Sequence, residues 1–173
     1  MNKKVIGFLL LFLAAIAIQA QEKDFGLRMG YQNSVMNING NKAGSSGNSF
    51  YVNAYKETKI IPFLYFHSGL QYSRVESNIE SHNYQIDYLG APLALKAKLG
   101  PLYALGGYTF NVKLNENNNP YSSSTSWYDS NAFAGLGFKL LFMTIDARYH
   151  WGLTDINQGI HNNSFQIGLG LKF

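Results

Sequence analysis

The sequence has 173 residues, 14% charged and 15% aromatic side chains, 17 glycines, no cysteine and a formal net charge of +4. The lack of cysteine rules out disulfides, thiolate metal sites, cysteine nucleophiles and a lipid-modified cysteine anchor. The charged fraction lies well below the roughly 25% of a soluble domain, which suits a chain whose solvent is partly lipid. Losing Lys3 and Lys4 with a leader lowers the net charge to +2, and no basic cluster or recognition-helix pattern is present, so the composition argues against nucleic acid as a partner.

The chain opens as an export signal. Lys3 and Lys4 precede an apolar run from Val5 to Ile18, too short to span a bilayer as a helix, and Ile18-Gln19-Ala20 offers a cleavage site before Gln21. Residues 1–20 are therefore expected to be a signal peptide, and 21–173 one exported domain. No later stretch is long and apolar enough for a transmembrane helix, so any membrane crossing must use strands.

The exported part alternates with period two throughout. Phe25, Leu27, Met29 and Tyr31 mark a first strand, followed by a polar loop from Asn37 to Asn48. Phe50, Val52 and Ala54 mark a second strand, running to Glu57, and Thr58 to Pro62 a short connection. The third carries Leu64, Phe66, Leu70 and Tyr72 opposite His67, Gly69, Gln71 and Ser73, before a loop from Glu76 to Asn83. The fourth sets Leu89, Ala91, Leu93, Leu95 and Ala97 against Gly90, Ala94 and Lys96, and Lys98-Leu99-Gly100-Pro101 is a tight turn. Pro92 inside this strand lacks a ladder donor, which predicts a bulge or local irregularity there. The fifth places Tyr108, Phe110, Val112 and Leu114 opposite Thr109, Asn111 and Lys113, and a loop covers Asn115 to Ser126. The sixth sets Ala132, Ala134, Leu136 and Phe138 against Asn131, Phe133, Gly135 and Gly137, with a turn near Lys139 to Phe142. The seventh opposes Met143, Ile145, Ala147, Tyr149 and Trp151 to Thr144, Asp146, Arg148 and His150, and Leu153 to Asn162 forms the last loop. The eighth alternates Phe165, Ile167, Leu169, Leu171 and Phe173 with Ser164, Gln166, Gly168, Gly170 and Lys172.

Eight strands joined by alternating long and short connections predict an all-β fold: an eight-stranded antiparallel up-and-down transmembrane β-barrel, with both termini on the periplasmic side. A lipocalin-like barrel would place the apolar face inside. Here the polar face is Gly, Ser, Thr, Asn and Gln with few charges, as a narrow filled lumen needs, whereas a solvated exterior would carry more Lys and Glu. The charges follow the same parity. Arg28, Glu57, Lys96, Lys113, Asp129, Asp146, Arg148 and Lys172 fall on the polar face, and the exceptions, Lys56, Arg74 and Asp87, fall at strand ends. Tyr72, Trp127, Tyr149, Trp151, Phe165 and Phe173 gather near strand ends, as interfacial aromatic girdles do.

The segment Tyr88-Leu89-Gly90-Ala91-Pro92-Leu93-Ala94-Leu95-Lys96 resembles the PorT-like outer-membrane β-barrel domain family. The resemblance continues at Gly135-Leu136-Gly137-Phe138, at Asp146-Ala147-Arg148-Tyr149 with Gly152-Leu153-Thr154-Asp155-Ile156, and at Phe165 to Gly170. It covers essentially the whole exported chain. Gly90 stands where the family often has an acidic residue. The resemblance implies an outer-membrane location and a role that in one member belongs to a secretion system. The alternating final strand ending on Phe173 likewise resembles the closing strand that barrel-assembly machinery reads in outer-membrane proteins.

On these grounds Arg28, Glu57, Lys96, Asp146, Arg148, His150 and Lys172 are read as a lumen polar network, because charges in a filled interior must pair. Arg28, Glu57 and Lys172 are expected near the periplasmic floor. Phe165, Ile167, Leu169, Leu171 and Phe173 are read as the assembly signal. Ser164, His150 and Asp129 fall near the outer ends of neighbouring strands and could form a nucleophile, base and orienting acid. Their parity points them away from lipid, so catalysis is not expected. His67, His82, His150 and His161 lack metal-ligand spacing, and no phosphate-binding motif is present, so no metal or cofactor is expected. The expected partners are outer-membrane lipid and lipopolysaccharide, the assembly machinery and an envelope protein. A lipid-modifying enzyme and a narrow solute channel are the alternatives.

Overall fold

The structure, a computed structural model, describes residues 24–38, 41–42, 45–79, 82–117, 126–154 and 160–173. The predicted leader and parts of all four expected long loops lie outside them. Eight long strands are present: β1 (Phe25–Ile38), β2 (Ser45–Ile61), β3 (Leu64–Ile79), β4 (His82–Leu99), β5 (Leu102–Asn117), β6 (Tyr128–Leu140), β7 (Met143–Gly152) and β8 (Ile160–Lys172). The two residues Asn41–Lys42 fold back on the end of β1. Each long strand pairs antiparallel with the next, and β1 pairs with β8 from Gly26↔Lys172 to Ile38↔Ile160. The sheet thus closes on itself as an eight-stranded antiparallel barrel. Closure leaves no free edge, as a lipid-embedded sheet requires.

Side-chain alternation sets the two solvents. Met29, Leu70, Leu95, Leu136, Ile145 and Leu169 lie exposed on the outer surface, while Arg28, Gln71, Lys96, Asp146 and Gln166 on the same strands are buried inside. The interior is not wholly polar: Ala94, Tyr103, Leu105 and Phe133 pack together on the β4–β6 side.

The strands outrun the prediction at one end. The expected loop from Glu76 to Asn83 is mostly strand, with β3 continuing to Ile79 and β4 starting at His82. The same holds for the expected loop from Asn37 to Asn48, where β1 continues to Ile38 and β2 begins at Ser45. Beyond Tyr72 and Leu89 the alternation inverts: Val75 and Ile86 face inward and are buried, while Arg74 and Asp87 pair on the outside at 2.8 Å. There the wall meets water rather than lipid, and a polar exterior with an apolar interior becomes the favourable arrangement.

At the other end the turns are tight and apolar. Gly100 and Pro101 close β4–β5 with Gly100 at φ 62°. Leu141 and Phe142 close β6–β7 with Leu141 at φ 54°. Both turns place the left-handed residue first, as a type II′ turn does, a position that favours glycine. Pro62 and Phe63 close β2–β3, with a register shift between Lys59 and Ile61.

Pro92 does not create a bulge. The β4–β5 register runs evenly through Pro92↔Thr109, and the shift falls instead between Asp87 and Tyr88. On the β3 side, pairing lapses between Ser68↔Leu93 and Gln71↔Gly90 without a change of register. The missing N–H thus removes a link but does not displace the strand.

Candidate functional site

The polar residues of the lumen form three tiers. The floor, near the tight turns, centres on Glu57 of β2. Its carboxylate accepts from Lys96 Nζ at 2.6 Å, Lys98 Nζ at 2.6 Å and Lys172 Nζ at 2.9 Å. His67 Nδ1 stands 3.8 Å from the same group. Lys96 also lies 3.5 Å from the centre of the Tyr103 ring, and Lys98 3.5 Å from that of Tyr65. These aromatic faces offset part of the cost of gathering three ammonium groups around one carboxylate.

The middle tier centres on Asp146 of β7. It accepts from Tyr103 Oη at 2.7 Å and from Arg148 Nε at 3.2 Å, and it pairs with an Arg28 guanidinium nitrogen. Arg28 lies over the Tyr51 ring at 4.7 Å and Arg148 over the Phe133 ring at 5.7 Å. Arg28, predicted near the floor, instead joins this tier, because its register partners are Asn53 and Gly170, two positions above the Gly26↔Lys172 pair. Gly168 on β8 makes room for it. A Cβ there would collide with the Tyr51 hydroxyl and stand 2.8 Å from Arg28 Nε.

The upper tier is a network of amides and hydroxyls. Gln166 Nε2 donates to Gln32 Oε1 at 2.7 Å, and Asn111 Nδ2 donates to Asn131 Oδ1 at 3.0 Å. Asp129 accepts from Thr154 Oγ1 at 2.6 Å and from Asn131 Nδ2 at 3.1 Å. A cavity of about 20 Å³ opens between these groups, room for little more than a water molecule. His150 stacks on Phe133 with ring centres 5.0 Å apart. It sits directly across the ladder from Ser164. Asp129, the third member of the constellation, is bonded to Thr154 and Asn131. Among the described residues no cluster of His, Asp or Glu has the makings of a metal site.

The sequence reading missed several lumen residues. Tyr51, Tyr55 and Tyr103 line the lumen, sharing inward parity with Asn53 and Glu57 or with Leu105. Lys98, within the expected turn, occupies an inward register position of β4 opposite Tyr103.

A closed antiparallel barrel of eight strands, apolar outside and ion-paired within, defines the class of small integral outer-membrane barrel proteins. The sequence matches the outer membrane protein beta-barrel domain over residues 6–173, and the chain belongs to that family. Among solved structures, it is similar to Neisserial surface protein A, at 15% identity and a TM-score of 0.66, covering 86% of this chain and 97% of that one. It is also similar to Ail, the attachment invasion locus protein of Yersinia pestis, at 16% identity and a TM-score of 0.58, covering 88% and 100%. A further Ail structure, in complex with the heparin analogue sucrose octasulfate, matches at 16% identity and a TM-score of 0.57, covering 87% and 98%. No match was found among curated proteins.

Proposed function

We propose that this outer-membrane barrel is a sealed, non-enzymatic envelope protein that acts through its rims. The observation that carries this reading is the lumen. Tiers built on Glu57 and Asp146 fill the bore with buried side chains gathered round two carboxylates, and eight strands leave no channel beside them. The Ser164–His150–Asp129 geometry supports no hydrolytic relay, since Asp129 is bonded elsewhere and all three groups face away from lipid. In this reading residues 1–20 are removed on export, and the tight-turn end with both termini faces the periplasm. The alternating stretch Phe165, Ile167, Leu169, Leu171 and Phe173 addresses the chain to the assembly machinery. Lipid and lipopolysaccharide cover the outer band. The PorT-like resemblance supports a secretion accessory as the specific role.

Ail has been crystallised with a heparin analogue, but the loop end here offers no excess of cations. The described charged side chains there are Arg74 and Lys113 against Glu76, Asp87, Glu116 and Asp129. A polysulfate is therefore not the expected ligand of that end.

Planar-bilayer recording of the purified barrel tests the sealed lumen. Discrete conductance steps would refute it. Orientation is tested by placing single cysteines in this cysteine-free chain and labelling them with an impermeant maleimide, with and without outer-membrane permeabilisation.

A further inference from the structure

Each strand that runs down to the tight-turn end carries a lysine followed by an apolar residue at or next to its end: Lys59-Ile60 on β2, Lys98-Leu99 on β4, Lys139-Leu140 on β6 and Lys172-Phe173 on β8. The register puts all four lysines on the lumen side of the wall. Lys59 stands opposite Tyr65, Lys98 opposite Tyr103, Lys139 opposite Thr144 and Lys172 opposite Gly26. They ring the mouth of the barrel. Glu57 engages Lys98 and Lys172, and Asp24 lies 4.0 Å from Lys172. Among the described residues, Lys59 and Lys139 have no acidic partner. With Lys96 beneath the ring, the described side chains at this mouth carry five ammonium groups and two carboxylates, those of Glu57 and Asp24.

The tips that frame this ring are apolar. Ile61, Phe63, Leu141 and Phe142 are exposed by 41%, 53%, 79% and 57%. Leu141 occupies a left-handed position at φ 54°, where a leucine is strained and glycine or asparagine would not be. Its side chain gains little packing within the chain to offset that strain. Strain retained at an exposed apolar tip points to a contact made outside the chain.

We propose that this rim is a docking surface for an acidic protein segment that reaches the barrel from the periplasm. Carboxylates seat on the lysine ring, and apolar side chains of the same segment pack against Phe63, Leu141 and Phe142. The inference rests on the orientation given under Proposed function. Charge complementarity favours an anionic occupant, and placement favours protein over phospholipid. The four lysines lie inside the wall, whereas bilayer phosphates surround its outside. At that level on the outer face the described residues present one cation, Lys56, lying over the Phe25 ring at 5.2 Å.

The test is photocrosslinking in cells from a benzoylphenylalanine placed at Phe142, in the otherwise native chain and in a Lys59→Glu/Lys139→Glu variant. A heat-dependent mobility shift in SDS shows that each variant folds, and Lys59→Gln/Lys139→Gln replaces the reversal if it does not. The expected result is a protein adduct whose captured peptide is rich in Asp and Glu. Its yield should fall about tenfold on charge reversal and persist in Lys59→Arg/Lys139→Arg. Adducts to phospholipid alone, a captured peptide without acidic residues, or a yield indifferent to the lysines would each overturn the proposal. Maleimide labelling of Phe142→Cys separates the two levels. Labelling in intact cells would overturn the orientation, and the periplasmic partner with it. Labelling only after permeabilisation, combined with a non-acidic capture, would leave the orientation standing and sink the acidic partner alone.

Discussion

At the scale of single residues, Glu57 is the side chain on which most others depend. Three lysines donate to it, and its own side chain is 1% exposed. Removing one member of a buried charge cluster leaves the others uncompensated, which costs about 3–5 kcal/mol. Glu57→Gln should therefore destabilise the folded barrel by at least about 3 kcal/mol, measured by reversible urea unfolding in detergent. Loss below about 1 kcal/mol would mean that water already screens the floor lysines. Leu141 presents the opposite case. Leu141→Asn should stabilise the barrel by about 0.5–1 kcal/mol in the same assay, because asparagine tolerates the left-handed conformation. The same substitution should weaken capture at the periplasmic rim, separating a residue kept for binding from one kept for folding.

At the scale of the strand, parity decides what a substitution does. Leu169→Arg puts a charge into the lipid-facing band and should cost about 2–4 kcal/mol. Arg74→Ala breaks a cross-strand pair whose arginine side chain is 30% exposed, and should cost less than about 1 kcal/mol. Equal costs for the two would show that the outer surface is not in lipid at Leu169. Period two made these faces legible from the sequence alone, because in-and-out alternation is a local property of the chain. Strand ends were not legible in the same way. Ser77, Asn78 and His82 look like loop residues, yet they pair as strand, since a ladder continues wherever its partner does and water does not stop it. Partners in the lumen were legible only in part. Closure brings Glu57 and Lys172 within reach of each other, but the tilt that carries Asp146 to Arg28 and Tyr103 depends on register across the whole sheet. The inward tyrosines were not legible, because an amphipathic ring fits a lipid interface as well as a polar lumen.

At the scale of the molecule, charge is distributed unevenly along the barrel axis. In the middle and lower tiers Arg28, Arg148, Lys96, Lys98 and Lys172 face only Glu57 and Asp146, while the upper tier holds Asp129, so the surplus of cations lies toward the tight turns. Fields in a low-dielectric bore reach further than in water, so this surplus projects mainly through the tight-turn mouth. Binding at that rim should accordingly weaken as salt rises, whereas contacts made through the loop end should not.

The bond from Phe173 N to Phe25 O, at 3.0 Å, holds the two ends of the barrel chain side by side. The wall is therefore cyclic apart from one missing turn, and which strand comes last is a choice of the chain and not of the architecture. A circular permutant that joins residue 173 to residue 25 through a short turn and opens between Gly100 and Pro101 should refold in detergent to the same heat-modifiable barrel. Its last strand would then be β4, ending at Leu99 and Gly100 in place of Leu171 to Phe173. If cells still assemble that permutant, the address lies in the finished shape. If they leave it unassembled while it refolds in the tube, shape and address are separate properties of one sequence, and the final strand carries the second.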